Sequence, residues 1–508
     1  VKNKYLLLFS ILLVFLVSSC EDKIEPGFSY EPYTFSKTDE NGGTWKTILL
    51  TGNEQINLPA PKSATSPEIK AALDDVVNNF NKEPEAIKYW GSNPVLKWNE
   101  IARDLGAKYN LPPAPNDQGI YVLPSPTNPG SYPYFPFAHP PYMSRAFAYL
   151  SIAQYDALVV AWHYKYKYNQ PALHKLDSRV KTVFEASDIP SYPSDGAVIA
   201  AVSEGLLSTF FPLEVEFIKQ KSDEMKRCLI ASGISSKEDI AAGEFIGNEV
   251  VKIFRQRASA DGMNRAQAPL VVADSLAKVA QIKFGWAWKN QELPLRPVGI
   301  APLFGNVKTW FLPDVTLTRP APPPSVGSEE YTIAARELVK IQDNLTTEQR
   351  KIANWWSDGP GTYTPPGHWN RIACNEIIKN KLNPLRSARV LAYMNGAIQD
   401  AGISCWDAKY YYNYPRPINT INNFKTILGT PNFPGYTSGH STFSSAAATV
   451  LSTIFPEGKE RFEAFAEEAS VSRVYGGIHF RFDCTTGISQ GRNVAQYTLA
   501  AALKDGAN

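Results

Sequence analysis

Ala392-Tyr393-Met394-Asn395-Gly396-Ala397-Ile398-Gln399-Asp400-Ala401, continuing through Trp406 and Lys409 to Tyr412-Asn413, has a partner earlier in the chain, and that pairing decides the fold. Ala148-Tyr149, Ala153, Asp156-Ala157, Trp162, Lys165-Tyr166 and Tyr168-Asn169 recur as Ala392-Tyr393, Ala397, Asp400-Ala401, Trp406, Lys409-Tyr410 and Tyr412-Asn413, at a constant offset of 244 residues (392 minus 148). Both stretches carry apolar residues at three- and four-residue spacing, which predicts helices over 144–168 and 387–412. The register persists without a gap from Tyr192 and Ser194 to Tyr436 and Ser438. It then carries Leu207-Ser208-Thr209 and Phe211-Pro212 onto Leu451-Ser452-Thr453 and Phe455-Pro456. Chance similarity between two Ala-rich helices would not keep one register across two helices and the loop between them. The expected fold is mainly α, with two tandem, duplicated helical bundles.

The rest of the chain divides around these copies. Residues 66–310 are assigned to an N-terminal bundle and 328–508 to a C-terminal one. Residues 311–327, containing Arg319-Pro320-Ala321-Pro322-Pro323-Pro324, read as a Pro-rich extended linker. Thr346 and Gln349 form a capping box ahead of Ile352–Trp356, and Pro360 ends that helix. At 508 residues the chain exceeds what one small core can organise, and a net charge of only +2 gives no nucleic-acid footprint.

Residues 1–19 read as a lipoprotein signal peptide. Lys2 and Lys4 precede an apolar run from Tyr5 to Val17, too short for a stable spanning helix. Val17-Ser18-Ser19-Cys20 then resembles a bacterial lipobox with Cys20 as the lipidated residue, the alternative being a plain signal peptide with an incidental cysteine, and a tether follows over 20–65. This start predicts an exported bacterial lipoprotein of the cell envelope, anchored to a membrane by lipid on Cys20. Cys228, Cys374, Cys405 and Cys484 lack short metal-ligand spacing and are too sparse for a disulfide scaffold. Most of them are expected as small buried hydrophobes, with their pairing left open by the sequence.

The two copies differ where chemistry would matter. Arg416 stands opposite Ala172, Gly439-His440 opposite Asp195-Gly196, and His479 opposite Ser235. The N-terminal copy is therefore read as degenerate and the active site as belonging to the C-terminal bundle. Three segments there gather cationic and imidazole groups around small residues: Lys409 to Arg416-Pro417, Phe433-Pro434-Gly435-Tyr436-Thr437-Ser438-Gly439-His440, and Ser472-Arg473 to His479 and Asp483. A tetrahedral oxyanion asks for this set. Guanidiniums give paired hydrogen bonds to its oxygens, a lysine adds compact charge, and Ser438 with the Gly439 N–H supplies neutral donors at a helix N-terminus. Of the two histidines, one can bond to the central atom while the other moves a proton. Asp483, four residues beyond His479, can orient that ring, cap a helix or pair with Arg481.

These three segments resemble the superfamily of type-2 phosphatidic acid phosphatases, bacterial acid phosphatases and vanadium haloperoxidases. The resemblance implies that Lys409, Arg416, Ser438, Gly439 and Arg473 hold the anion's equatorial oxygens. It makes His479 the axial ligand of vanadium, or the phosphorylated nucleophile of a phosphatase, and His440 the general acid–base. Ala388-Arg389 to Arg416-Pro417, Phe433-Pro434-Gly435-Tyr436 and His479-Phe480-Arg481-Phe482-Asp483 are similar to the haloperoxidase branch, the fungal chloroperoxidases in particular. That branch implies vanadate as cofactor, with phosphate competing for the same site, and hydrogen peroxide and halide as co-substrates. Trp406 and Phe433 match positions that wall its halide pocket. Asn354-Trp355-Trp356-Ser357-Asp358-Gly359 resembles a segment whose Asp pairs with the second active-site arginine, so Asp358 is expected on Arg473. The departures are short loops between the motifs and Thr437 where proline is common. A phosphatase acting on a phosphate ester would use the same residues. His368, on Pro365-Pro366-Gly367-His368, either reaches the site mouth or is structural, and His139, His163 and His174 are expected to be structural.

Overall fold

The computed structural model describes residues 31–91, 93–110, 138–292 and 298–507, and every regular element among them is helical. The signal segment assigned to 1–19 and the lipidation site Cys20 lie outside the described residues. No helix among the described residues is long and apolar enough to cross a membrane. Helices of nine residues or more are labelled α1 to α14 in chain order. The first half comprises α1 (Pro67–Asn79), α2 (Pro94–Tyr109), α3 (Pro140–Tyr168), α4 (Asp195–Phe210), α5 (Val215–Ala231), α6 (Lys237–Ala260) and α7 (Leu270–Phe284). The second comprises α8 (Glu329–Asp343), α9 (Thr347–Trp355), α10 (Thr364–Lys379), α11 (Pro384–Tyr412), α12 (Gly439–Ile454), α13 (Lys459–Tyr475) and α14 (Arg481–Ala502).

The longest helices, α3 and α11, are both 29 residues and lie at the centre. Each opens on a proline, whose missing N–H would have been unsatisfied there anyway. Each stops at an asparagine in the left-handed region, Asn169 and Asn413, both at φ 48°, whose N–H closes on the carbonyl of Lys165 or Lys409. Apolar side chains on nearly all faces bury both helices almost completely. They pack against each other, with Asn395 Nδ2 donating to Ser151 Oγ at 2.9 Å.

The spacing of 244 recurs in the elements around them. The pairs α3/α11, α4/α12 and α5/α13 begin and end at positions 244 apart, and α6 and α14 begin so. Arg145 pairs with Asp261 as Arg389 pairs with Asp505, each at 2.6 Å, and each arginine also donates to a carbonyl, Ala258 or Ala502. A single apolar cluster runs from Leu96 and Trp98 through α3 and α11 to Val494 and Leu499. The two halves thus share one core, where the sequence suggested bundles set apart by a linker. The physical reason is that α3 and α11 are too apolar all round for either to face water.

Residues read as tether and linker are parts of that core. In the stretch read as tether, Trp45, Leu50, Ile56 and Leu58 are buried, and the N–H groups of Ile48, Leu49 and Leu50 all donate to the carboxylate of Asp156 at 2.7–2.9 Å. Trp310, Phe311 and Leu312 donate to Asp400 in the same way, at 2.7–2.9 Å. The Pro-rich stretch after Leu312 is extended but strapped down. Proline offers carbonyls and no N–H, and Tyr412, Tyr436 and Tyr414 hydroxyls donate to the carbonyls of Pro320, Ala321 and Pro324. Tyr168 and Tyr192 hold Leu58 and Pro59 likewise. The boundary at 310 also moves. Trp286 Nε1 donates to the Tyr412 carbonyl and the Trp288 N–H to that of Asn413, so the segment from 286 onward serves the second half.

Asp156 and Asp400 are each completely buried, and that burial pushes both carboxyls up to about 6 against the three N–H groups that pull them down. Replacing either by alanine would strand three donors, one buried and two half-buried. Asp156→Ala and Asp400→Ala are each expected to lower unfolding free energy by more than about 3 kcal/mol. Denaturant unfolding that shows a loss under about 1 kcal/mol for either would refute the strap's role.

Candidate active site

Lys409, Arg416 and Arg473 arrive from three different elements and are all buried. Lys409 lies in the last turn of α11, where its Nζ donates to the carbonyls of Pro434 (2.8 Å) and Gly435 (3.0 Å). Arg416 follows three residues after the Asn413 turn. Its Nε donates to the Phe433 carbonyl at 2.9 Å and its Nη1 to that of Ile478 at 2.8 Å. Arg473 lies in the last turn of α13, with Nε on Ser472 Oγ (2.9 Å) and Nη2 on the Ala353 carbonyl (3.0 Å). Carbonyls hold all three in place without cancelling their charge, which leaves the pocket electropositive.

Burial sets the electrostatics. It draws Lys409 well below its usual range, and it lowers Arg416 to about 9 and Arg473 to about 10. Burial, opposed by Lys409, raises Asp483. The same loss of water drives His440 and His479 well below 6.5. Arg473 adds to this for His440, and Arg416 with Lys409 for His479, so both rings are neutral at physiological pH.

His479 sits two residues before α14, and Asp483 in its first turn faces back to it. Asp483 Oδ2 is 3.0 Å from His479 Nδ1 and accepts the Phe480 N–H at 3.1 Å, so one carboxylate both orients the ring and caps the helix. Arg481 pairs with Glu337 instead. With the proton held on Nδ1, Nε2 presents its lone pair to the pocket, 3.4 Å from Arg416 Nη1. The Ser438 N–H donates to the Asp483 carbonyl at 3.0 Å, which ties the second motif to the third.

Ser438 is the N-cap of α12, its Oγ accepting the Ser441 N–H at 3.4 Å, so its own hydroxyl proton can point outward. Gly439 and His440 begin the helix, where backbone N–H groups lack partners within the helix. Trp406 and Phe433 pack against each other beside Lys409, with ring centres 4.9 Å apart and planes tilted by 47°. Trp406 is fixed by Nε1 donating to the Ile300 carbonyl at 3.1 Å.

The sequence expectations thus meet in space for Lys409, Arg416, Arg473, His479, Asp483, Trp406 and Phe433, with Ser438, Gly439 and His440 at the end of α12. One pairing is corrected. Asp358 is bonded to His368 Nδ1, both oxygens at 3.2 Å, rather than to Arg473. Asp358 has a left-handed backbone (φ 42°) and His368 stacks on Trp356 at 4.4 Å, which turns the carboxylate toward the imidazole. Asp358 still acts on Arg473 through space, by countering the effect of its burial. The positioning carbonyls of Ala353, Ile478, Pro434 and Gly435 escaped sequence reading, since a backbone carbonyl leaves no trace in residue type. The four cysteines among the described residues are buried, as expected, and all four are free.

The donor set suits an oxyanion. Arg416 Nη2 and His440 Nε2 are sealed from solvent and have no hydrogen-bond partner within the protein, an arrangement that is costly unless a ligand supplies acceptors.

The fold and this stretch of sequence have counterparts among known proteins. Residues 389–505 match the PAP2 superfamily. Vanadium chloroperoxidase of Curvularia inaequalis is 26% identical over a stretch covering 25% of this chain and 28% of that protein's length. The crystal structure described as the first bacterial vanadium-dependent iodoperoxidase superposes with a TM-score of 0.57 at 21% identity, covering 87% of this chain and 97% of that one. A holo-type bacterial vanadium-dependent chloroperoxidase gives a TM-score of 0.52 at 16% identity, covering 76% and 97%. The cations, the Ser-Gly-His turn and the second histidine all fall inside 389–505, the stretch that matches the PAP2 superfamily, and the all-helical fold around it is similar to that of the vanadium-dependent haloperoxidase structures.

Proposed function

We propose that this chain is a vanadate-dependent haloperoxidase, oxidising halide with hydrogen peroxide to a hypohalous species. The observation that carries the reading is the sealed, unpartnered Arg416 Nη2 and His440 Nε2 in a pocket with three buried cations. Lys409, Arg416, Arg473, Ser438 and the Gly439 N–H would hold the vanadate oxygens, and His479 Nε2 would be the protein's one bond to the metal. When bound, vanadate would supply Lewis-acid activation of peroxide without changing oxidation state.

The protein's own groups have separate tasks. Asp483 keeps the His479 proton on Nδ1, so that Nε2 remains a ligand. Arg473 and burial keep His440 neutral, which leaves its Nε2 able to take a proton from incoming hydrogen peroxide. Trp406 and Phe433 exclude water beside Lys409, which strengthens every charge interaction there. The paired elements at 244-residue spacing support an internal duplication in which only the second copy retains the anion-binding groups.

The deciding assay uses protein incubated with vanadate and freed of excess. Peroxide-dependent iodide or bromide oxidation is expected, and His479→Ala should abolish it. Hydrolysis of a phosphate ester by vanadate-free protein, with no halide oxidation, would make the chain a phosphatase.

Anion affinity offers a second check. Arg473→Ala should weaken phosphate or vanadate binding by at least about 2 kcal/mol, roughly thirtyfold, because a buried hydrogen-bonded charge pair is lost. Calorimetry showing unchanged affinity would remove Arg473 from the site.

Lys409 also sets a pH dependence. Its ammonium is disfavoured by burial and is favoured again when an anion binds, so anion binding takes up a proton once the free protein has lost it. Phosphate affinity should therefore fall as pH rises through a range well below the usual lysine value of about 10.4. In Lys409→Met that part of the pH dependence should vanish, and its persistence would assign the titration to another group.

A further inference from the structure

A cavity of about 470 Å³ opens in the first half of the molecule, at the place that the anion site occupies in the second. Lys165 marks the correspondence. It lies in the last turn of α3 and its Nζ donates to the carbonyl of Pro190 at 2.7 Å and approaches that of Ser191, as Lys409 does with Pro434 and Gly435. Around it the anion-binding groups are replaced one by one: Ala172 for Arg416, Gly196 for His440, Leu229 for Arg473 and Ser235 for His479, all lining the cavity.

We infer that this cavity is a second binding site, for a small uncharged aromatic molecule carrying an O–H or N–H donor, of the phenol or indole class. Three features of the lining select that chemistry. First, the site repels anions. Asp195 stands where Gly439 stands in the other half, and its carboxylate takes up the Lys165 charge at 3.1 Å. Glu185 adds negative charge to the lining, while the Asp188 carboxylate is paired with Lys175. A carboxylate already placed at the start of α4 occupies the position where an oxyanion would bind.

Second, the walls are rings. Tyr33, Phe35, Trp90 and Phe184 line the cavity with Met225, surfaces that favour a flat apolar partner. Its size falls in the ordinary range of small-molecule sites. Third, the polar end accepts hydrogen bonds. The Asp195 side chain is 26% exposed beside a Lys165 that is 2% exposed, so a carboxylate oxygen remains within reach of a ligand donor. Leu229 packs against Gly196, the position opposite His440. A Cβ on Gly196 would fall 2.7 Å from Leu229 Cδ2, so no side chain at position 196 fits while Leu229 keeps its place.

Binding is tested directly with indole, by calorimetry and ligand-observed NMR, on the vanadate-free chain and on two variants. Ala172 is half-buried on the cavity wall, and Ala172→Trp would fill the space. Asp195→Asn would leave the shape but weaken the charged acceptor. One saturable site is expected in the unaltered protein. Ala172→Trp should abolish it without changing circular dichroism, and Asp195→Asn should weaken it at least about tenfold. Phosphate should not compete. Absence of saturable binding up to about 1 mM indole, a limit of roughly 4 kcal/mol, would overturn the inference. So would full binding in a folded Ala172→Trp, or an affinity unaltered in Asp195→Asn, which decides the matter should the tryptophan variant misfold.

Discussion

Three like charges, those of Lys409, Arg416 and Arg473, are held together out of water, and much of the second half serves that constraint. Coulomb repulsion and desolvation both oppose it, and either would relax if a side chain could swing outward. The fold answers with carbonyls. Five of them, from Pro434, Gly435, Phe433, Ile478 and Ala353, receive the donors of the three cations. A carboxylate in their place would have neutralised the pocket. A carbonyl fixes direction and leaves the charge available to an anion.

Carbonyls can do this only if the backbone carrying them is immobile, and the central helix pair provides that. α11 delivers Lys409 from its last turn, and the Asn413 turn starts the path to Arg416. α11 is itself clamped by α3 along one side and by the strap that Asp400 gathers through three N–H groups. The strap returns at Ile300, whose carbonyl fixes Trp406 and Tyr410 and whose N–H bonds to the Asn432 carbonyl, next to the loop that holds Lys409. A residue far away in sequence thus sets the wall of the pocket. Asp483 makes the last connection by holding His479, the start of α14 and the Ser438 backbone at once.

The first half shows what the same scaffold does when the charge constraint is lifted. Lys165 keeps its carbonyls, but Asp195 neutralises it, and alanine, leucine and serine occupy the places of Arg416, Arg473 and His479. The arginine–aspartate pairs, asparagine turns and straps persist in both halves. They belong to the scaffold, and the buried cations and histidines of the second half are a layer upon it.

The helices, their constant spacing and the residues that gather around Lys409 were legible in the sequence, because periodicity and residue type are local properties. Lys409, Arg416, Arg473 and His479 could be chosen for charge and order alone. What the tertiary structure decided was which groups touch. Asp358 turned to His368 because its left-handed backbone and the stacked Trp356 ring direct it there. The stretches read as tether and linker became core, because apparent flexibility in a Pro- and Gly-rich sequence ends when buried carboxylates and tyrosines collect its backbone groups. One core formed where two were expected, since helices apolar on every face bury one another. Backbone carbonyls, the main supports of the cations, are the same in every residue, so only their placement in space could reveal them.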